Sequence, residues 1–148
     1  MNYEALKLEN QLCFPLYACS REIVKQYKPF LDEIGVTYTQ YIAMMVLWEK
    51  KTVSVKELGE ALYLDSGTLT PLLKKMEEQG LLTRTRDKAD QRSVLVELTG
   101  RGEALKDKAA EIPAKLMQCI PLGRKDAADL HRLLYHVLDL IEGKERRN

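Results

Sequence analysis

The spacing of apolar residues changes at Gly80, and this change restricts the possible folds more than any other feature of the chain. Before Gly80, four apolar side chains recur at helical spacing: Leu69, Leu72, Leu73 and Met76. Glycine readily adopts the left-handed conformation that ends many helices, so a helix is expected to stop there. Further on, Val94, Val96 and Leu98 alternate with their neighbours, which is the spacing of a strand. Residues 82–86 and the polar turn DKADQ precede this strand, so the pattern predicts a charged antiparallel hairpin.

Two helix starts are marked by capping boxes. In VTYTQY, Thr37 can accept from the free backbone N–H groups of a first turn, while Gln40 can accept from the backbone of the cap residue. Ser54 and Glu57 repeat this arrangement in VSVKEL. Helices are therefore predicted to begin near Thr37 and near Ser54.

The start of the helix before Gly80 depends on Pro71. Proline has no backbone N–H and is accommodated best in the first turn of a helix. This predicts a cap at or near Thr68, whereas a cap at Ser66 would require a local kink. The sequence leaves both starts open.

Helical spacing also marks both ends of the chain. The predicted first helix weakens at Pro29, and its apolar face consists of Leu8, Leu12, Leu16, Cys19, Ile23 and Tyr27. The tail predicts a long helix, bent or broken at Pro113, with Ala104, Leu105, Ala109, Ile112, Leu116 and Cys119 or Ile120 on its face. A last helix, closed by Gly143, carries Leu130, Leu133, Leu134, Val137, Leu138 and Ile141. Such surplus apolar surface on terminal helices predicts a helical dimer interface.

Composition excludes several classes of protein. The chain has 148 residues, 45% of them hydrophobic, which is enough for one domain with its own core. Three cysteines and no recognisable secretory leader predict free thiols in a reducing cytoplasm. The longest uncharged run, residues 34–48, is too short and too polar to cross a bilayer, so a soluble protein is expected. His131 and His136 do not share a helical face and no nucleotide-binding glycine loop occurs, so neither a metal nor a cofactor is expected.

The charge of the chain is balanced overall but not locally. It carries 23 Lys plus Arg and 22 Asp plus Glu, a net charge of +1, so overall charge gives no reason to expect nucleic acid as a partner. Residues 84–92 hold four basic and two acidic side chains, a local charge of +2. A local cluster of basic residues on a protein with little net charge is typical of a small surface that contacts DNA.

The predicted order of helix, short helix, helix and basic hairpin is that of a winged helix-turn-helix, in a mainly α fold with a small β-hairpin wing. The helix before the hairpin would place hydroxyl groups at base edges in the major groove and lysines at phosphates. The hairpin would carry arginines to the neighbouring backbone or minor groove, with Asp90 orienting Arg92. The predicted DNA-contacting residues are Ser66, Thr68, Thr70, Lys74, Lys75, Arg84, Arg86, Asp90 and Arg92. Residues 36–99 would form this part of a single domain, and residues 1–35 and 100–148 its dimerisation part.

Four stretches of the chain resemble one known family. LKLENQLCF, YLDSGTLTPLLKKMEEQGL, RTRDKADQRSVLVELT and EIP are similar to the MarR-type winged-helix regulators and, within them, to the organic hydroperoxide-responsive repressors of the OhrR type. The resemblance covers nearly the whole chain and places the aspartate and arginine of the family's wing on Asp90 and Arg92. It implies a homodimer that binds an inverted-repeat operator and represses a peroxide-detoxifying gene.

The resemblance also assigns a redox site. The peroxide-sensing cysteine of such proteins falls on Cys13, and the tyrosines that hydrogen-bond its thiolate across the dimer fall on Tyr17, Tyr27 and Tyr38. Some members have a second cysteine, in the fifth helix, that closes a disulfide onto the sensor of the other subunit. Cys119 lies in the corresponding region and is either this resolving thiol or a packing residue.

The chemistry of thiols agrees with these assignments. A thiolate is the nucleophile that opens a peroxide O–O bond, and phenol donors favour the anion. The product is a sulfenic acid, which a second thiol can trap. Cys19 cannot serve as that thiol, because on one helix it would lie about 9 Å along the axis from Cys13 and point about 240° away. It is predicted to fill the core. Pro15 removes the backbone bond to the carbonyl of Gln11, so the sequence leaves the local geometry of Cys13 open.

Three functions are compatible with these features. The first is a DNA-binding repressor, not an enzyme, that leaves its operator when an organic hydroperoxide oxidises Cys13. The second keeps the fold but responds to a small aromatic ligand or to broader redox signals. The third is a thiol peroxidase, which would leave the wing and the helix before it without a role.

Overall fold

A computed structural model describes residues 3–143 of the chain. The ends of the predicted single domain, residues 1–2 and 144–148, lie outside the described residues. The chain divides into two compact units, Met1–Ile112 and Pro113–Asn148. No helix of the described part is long and apolar enough to span a membrane.

The described elements are mainly helical. Two short 3₁₀ turns, Glu4–Leu6 and Leu8–Asn10, come first. The elements that follow are α1 (Cys13–Ile34), α2 (Tyr38–Lys50), β1 (Thr52–Ser54), α3 (Val55–Leu62), α4 (Ser66–Glu78), β2 (Leu82–Arg86), β3 (Val94–Leu98), α5 (Gly100–Ala104), α6 (Lys106–Ala109), α7 (Ile112–Cys119) and α8 (Arg124–Glu142).

The first helix differs from its prediction at Pro29 and accommodates both of its prolines. α1 begins at Cys13, so Pro15 lies in the first turn, where backbone N–H groups have no partner within the helix. Pro15 therefore removes no bond that α1 would make. α1 also continues through Pro29 and ends at Gly35, whose φ of 71° is left-handed. Pro29 is exposed, so the backbone bond that it removes lies on the solvent side of the helix.

Both predicted capping boxes are confirmed. Thr37 N donates to Gln40 Oε1 over 2.9 Å, and Gln40 N donates to Thr37 Oγ1 over 3.4 Å at the start of α2. Ser54 and Glu57 form the same pair of bonds at the start of α3, over 2.8 and 3.1 Å. These bonds lie within four residues of sequence, which explains why the local pattern was sufficient to place them.

Of the two starts that the sequence left open for α4, the structure lies within one residue of the earlier one. Asp65 is the cap, and its carboxylate accepts from Thr68 N over 2.8 Å. The helix begins at Ser66, so Pro71 lies inside it and not in its first turn. The predicted end is confirmed, since Gly80 follows α4 with a φ of 70°.

The hairpin belongs to a sheet of three antiparallel strands in the order β1-β3-β2. β1 contains three residues and was not expected from the sequence, because such a short strand shows no alternation of its own. Val96 pairs with Val53 on one side and with Arg84 on the other, so β3 is the central strand. The sheet fixes the base of the wing against the helices.

The core of the first unit lies between α2, α3, α4 and the sheet. Its fully buried side chains include Met44, Leu47, Leu58, Leu69, Leu73, Met76, Leu82 and Val96. Packing is closest at Gly102, where an added Cβ would lie 2.2 Å from the carbonyl oxygen of Leu81. Trp48 Nε1 donates to the carbonyl of Gly102 over 3.1 Å, and this bond anchors the segment after the wing to α2.

The long helix predicted in the tail is divided into α5, α6 and α7. Pro113 is the second residue of α7, a position that tolerates proline, so the break comes before it. Gly143 ends α8 with a φ of 72°, as predicted. Within the second unit, α8 has no buried residue, and Leu130, Leu133, Tyr135, Val137 and Leu140 are exposed.

Candidate nucleic-acid interface and thiol site

The packing of α4 determines which of its faces is available to a ligand. Leu69, Leu73 and Met76 are at most 1% exposed and hold one side of the helix in the core. The predicted DNA-contacting side chains of α4 are all exposed: Ser66, Thr68, Thr70, Lys74 and Lys75. Hydroxyl groups therefore occupy the first half of the helix and lysines the second, as expected for a helix that enters the major groove by its amino-terminal end.

The tip of the wing is an ordered turn between β2 and β3. Asp90 accepts from the backbone N–H of Arg92 over 3.0 Å, and Arg86 Nη1 donates to the carbonyl of Gln91 over 3.0 Å. Ser93 N donates to the carbonyl of Asp90 over 2.9 Å. Asp90 thus orders the backbone that presents Arg92, which is exposed.

Arg84 has a different environment from the other predicted DNA contacts. Its guanidinium donates to Glu77 Oε2 through Nη2 over 2.7 Å and through Nε over 3.2 Å. Its backbone N–H donates to Glu77 Oε1 over 3.1 Å. The hydrogen bond from Arg84 lowers the pKa of the Glu77 carboxyl. Arg84 therefore joins the wing to α4, and its contact with DNA stays a prediction.

A cleft of about 340 Å³ separates the wing from α3 and α4. Its polar lining consists of Lys56, Thr70, Arg84, Arg92 and Ser93. Lys56 and Ser93 were not expected to belong to this surface. For Lys56 a signal existed, because it follows the Ser54 capping box and so had to lie in the first turn of a helix beside the predicted groove-binding helix.

Cys13 is the first residue of α1 and is exposed. Tyr17 lies one turn further along and is 59% exposed, with the Arg21 guanidinium 5.3 Å from its ring centroid. Tyr27 of the same chain lies about 21 Å along the helix axis from Cys13, given a rise of about 1.5 Å per residue. A hydrogen bond between Cys13 and Tyr27 therefore requires two chains.

Cys19 is exposed in the single chain, so the prediction that it fills the core is wrong. Leu31 is the one buried residue of α1. The apolar face was identified from its spacing, but spacing does not show whether the partner that covers a face belongs to the same chain. Cys119, the last residue of α7, is also an exposed free thiol.

Tyr27 and Tyr38 come together, and Tyr41 joins them. Ring centroids lie 4.9 Å apart for Tyr27 and Tyr38 and 5.9 Å apart for Tyr27 and Tyr41. Burial raises the pKa of Tyr27 to about 12 and also raises the pKa values of Tyr38 and Tyr41. These phenols therefore stay protonated at neutral pH and can donate. Tyr41 was missed, although it lies one turn after Tyr38 on α2.

The described residues show no group of three or more His, Cys, Asp or Glu side chains placed to hold a metal ion.

Comparison with known proteins identifies the family. The sequence profile of the SarA/Rot transcriptional regulators matches residues 25–109. The organic hydroperoxide resistance transcriptional regulator of Bacillus subtilis is 52% identical over 142 residues, which cover 96% of this chain and 97% of that protein. The chain belongs to the OhrR-like, MarR-type winged-helix regulators. The HTH-type transcriptional regulator SarZ of Staphylococcus aureus is 42% identical over 130 residues, 88% of each chain.

Solved structures of similar regulators support the fold of this OhrR-like chain. Reduced AbfR bound to DNA has a TM-score of 0.80 at 30% identity, and the match covers 97% of this chain and 98% of that one. Disulfide-formed AbfR has a TM-score of 0.65 at 32% identity, covering 91% and 95%. The predicted winged helix-turn-helix is confirmed, and the OhrR-like regulator is similar to a protein solved both on DNA and in an oxidised state.

Proposed function

We propose that this OhrR-like regulator is a homodimeric repressor that binds an inverted-repeat operator and releases it when an organic hydroperoxide oxidises Cys13. The observation that carries the proposal is an exposed thiol at the start of α1 in a chain that is 52% identical to an organic hydroperoxide resistance regulator. Such a repressor would act in the reducing cytoplasm, where its thiol stays free until peroxide arrives.

DNA binding is assigned to α4, the wing tip and the cleft between them. Ser66, Thr68 and Thr70 would meet base edges, while Lys74 and Lys75 would neutralise phosphates. Arg92, held out by the ordered turn, would enter the minor groove with Arg86 beside it. The cleft adds Lys56 and Ser93 as further phosphate contacts.

The dimer is assigned to the exposed apolar faces of α1 and α8. Leu16 of α1 is 46% exposed and Leu133 of α8 is 49% exposed, and exposed apolar faces of this kind are typical of interaction sites. A second copy of the chain would cover these faces. It would also bring its Tyr27 and Tyr38 to Cys13, which the chain's own Tyr27 cannot reach.

Sensing is a two-electron oxidation of sulfur. The Cys13 thiolate attacks the terminal oxygen of the hydroperoxide, the S–O bond forms as the O–O bond breaks, and the alkoxide takes up a proton to leave as an alcohol. Before this step, the protonated phenols of Tyr27 and Tyr38 donate hydrogen bonds to the thiolate. The sulfenic acid no longer accepts them in the same way, so the dimer interface repacks and the spacing of the two α4 helices changes.

The test is an operator-binding titration with the reduced dimer before and after tert-butyl hydroperoxide. The parent and a Cys19→Ser control are expected to lose affinity by at least tenfold, while Cys13→Ser stays bound. Release of Cys13→Ser to the same extent as the parent would exclude this mechanism.

Cys119 is proposed as the resolving thiol. Its thiol would condense with the sulfenic acid of the partner's Cys13 to give a disulfide and water. Mass spectrometry of the peroxide-treated dimer should find a Cys13–Cys119 linked peptide pair, which disappears in Cys119→Ser. A mixed disulfide of Cys13 with a small thiol in the parent protein would contradict this role.

A second candidate function rests on the cleft beside the wing. Its volume of about 340 Å³ and its cationic lining suit a small aromatic acid, which would compete with DNA for Lys56 and Arg92. Release of the Cys13→Ser variant by such an acid without peroxide would support it.

A thiol peroxidase is distinguished by turnover, since the repressor consumes about one peroxide per thiol whereas an enzyme continues when reductant is supplied.

A further inference from the structure

Gln40 is the one buried polar side chain among residues 3–143, and it is 1% exposed. It lies in the first turn of α2, the same turn that carries Tyr38 and Tyr41. Its amide Nε2 donates to Gln79 Oε1 over 2.8 Å, a bond between residues 39 positions apart. A buried amide that joins two helices is costly to leave unpaired, so it restricts how those helices can move.

Hydrogen bonds determine the orientation of the side-chain amides of Gln40 and Gln79. Thr37 N is a donor only, and it donates to Gln40 Oε1 over 2.9 Å. The amide nitrogen of Gln40 must therefore point the other way, where it needs an acceptor. Gln79 supplies that acceptor from the residue immediately after α4.

The last turn of α4 makes a second connection, to the wing. Glu77 accepts three hydrogen bonds from Arg84 of β2, between 2.7 and 3.2 Å. Glu77 and Gln79 are two residues apart, so one turn of α4 is tied both to the tyrosine-bearing turn of α2 and to the wing. All four residues lie within the first unit.

We infer that Gln40 and Gln79 are positioning residues that transmit the state of the sensing tyrosines to the recognition helix, and that Glu77 and Arg84 pass it to the wing. The inference rests on the proposed function. A shift of Tyr38 and Tyr41 on oxidation moves the turn that contains Gln40. Because the buried side chain of Gln40 is hydrogen-bonded to Gln79, the end of α4 follows, and the Glu77–Arg84 pair carries the wing with it.

The test uses Gln79→Met, which keeps the length of the side chain but removes the acceptor. Gln79→Glu keeps an acceptor for Gln40 Nε2 and serves as the rescue. Glu78→Gln is the matched control, since Glu78 lies in the same turn and its ion pair with Lys74 is exposed and 4.0 Å long. The quantity measured is the release ratio, the operator Kd after peroxide divided by the Kd before it, together with the sulfenic acid yield at Cys13.

We expect Gln79→Met to form the Cys13 sulfenic acid as the parent does and to bind the operator within about threefold of the parent when reduced, but to lose at least tenfold of the release ratio. Gln79→Glu and Glu78→Gln should retain the parental ratio. A parental ratio in Gln79→Met, or failure of Gln79→Glu to restore it, overturns the inference.

A destabilised Gln79→Met protein would be recognised by its thermal unfolding. In that case the double variant Gln40→Met/Gln79→Met is compared with Gln40→Met alone, because both lose the capping bond from Thr37 N and neither retains the buried Nε2 donor of Gln40. The same loss of release ratio is expected, and a parental ratio overturns the inference. If the parent itself is not released by peroxide, it is the proposed function that fails; if the parent releases and the variants do so equally, the transmission role alone fails.

Discussion

Leucine side chains are buried on the helices around the sheet but exposed on the last helix of the chain. Leu58 and Leu69 are at most 1% exposed, whereas Leu133 and Leu140 are 49% and 54% exposed. The first pair is covered by its own chain, so the DNA-reading surface can be built by a single copy. The exposed apolar faces are not covered by the described part of the chain, and we propose that a second copy covers them. Under this proposal, the core is complete in one chain, whereas the terminal helices are buried only in the dimer.

The strongest test of the comparison is Leu58→Ala. It should lower the free energy of unfolding by about 3 kcal/mol, because a cavity is left in a core that cannot close around it. Urea unfolding at several protein concentrations measures this. The loss should persist at every concentration, while the effect of Leu133→Ala should shrink as the protein is diluted. An equal dilution dependence for both variants would show that the core is not complete in one chain.

A charge on α8 tests the other side of the comparison. Leu133→Glu should weaken the dimer about 100-fold, which corresponds to about 2.7 kcal/mol, because a carboxylate is desolvated in an apolar contact. Analytical ultracentrifugation gives the dissociation constant. Lys125→Glu is the control, since Lys125 is an exposed polar position of the same helix. A dimer unaffected by Leu133→Glu would place the interface elsewhere.

Helix caps differ between the two regions in a testable way. Ser54 caps α3 through its hydroxyl, whereas Gly123 before α8 has no side-chain cap. Ser54→Ala should cost about 1 kcal/mol of stability, and Gly123→Ser should add a few tenths. Thermal unfolding shows whether each variant is more or less stable than the parent protein. A loss of stability in Gly123→Ser would mean that this end of α8 is stabilised by something other than its cap.

The smallest effect concerns alkaline pH. Burial raises the pKa of Tyr27 from 10.0 to about 12, so the neutral phenol is favoured by folding. Its contribution to stability is fully present below pH 10 and is lost as the pH rises through about 12. Unfolding measured across this range should show the decline, and Tyr27→Phe should reduce it. A parental decline in Tyr27→Phe would assign the alkaline sensitivity to other groups.

Much of the winged helix was predictable because its signals are local. The capping boxes at Thr37 and Ser54, the glycine after α4 and the alternation in β3 each depend on residues within a few positions of one another. The start of α4 stayed open because Pro71 favours a later cap, whereas the carboxylate of Asp65 makes an ordinary capping bond one residue before the earlier alternative. The effect of Pro15 stayed open because it depends on where α1 begins.

The candidate site divides in the same manner. The hydroxyl groups and lysines of α4 are exposed because the apolar stripe on the opposite side of the helix is buried. The sequence was therefore sufficient to predict which face of α4 is exposed. The pairing of Arg84 with Glu77 was not foreseeable, because both side chains looked like ordinary surface charges until the strand was packed on the helix. Lys56 and Tyr41 differ from this pair, because their positions in the first turns of α3 and α2 followed from the two capping boxes.

The sequence by itself determined the helix caps, the hairpin, the family and the presence of a thiol beside tyrosines at helical spacing, since these depend on short-range hydrogen bonds, periodicity and motif identity. Only the tertiary structure decided which polar side chains meet: Gln40 with Gln79, Arg84 with Glu77, and Tyr27 with Tyr38 and Tyr41. Such contacts join residues from different elements, and they form only when burial of the apolar faces has brought those elements together.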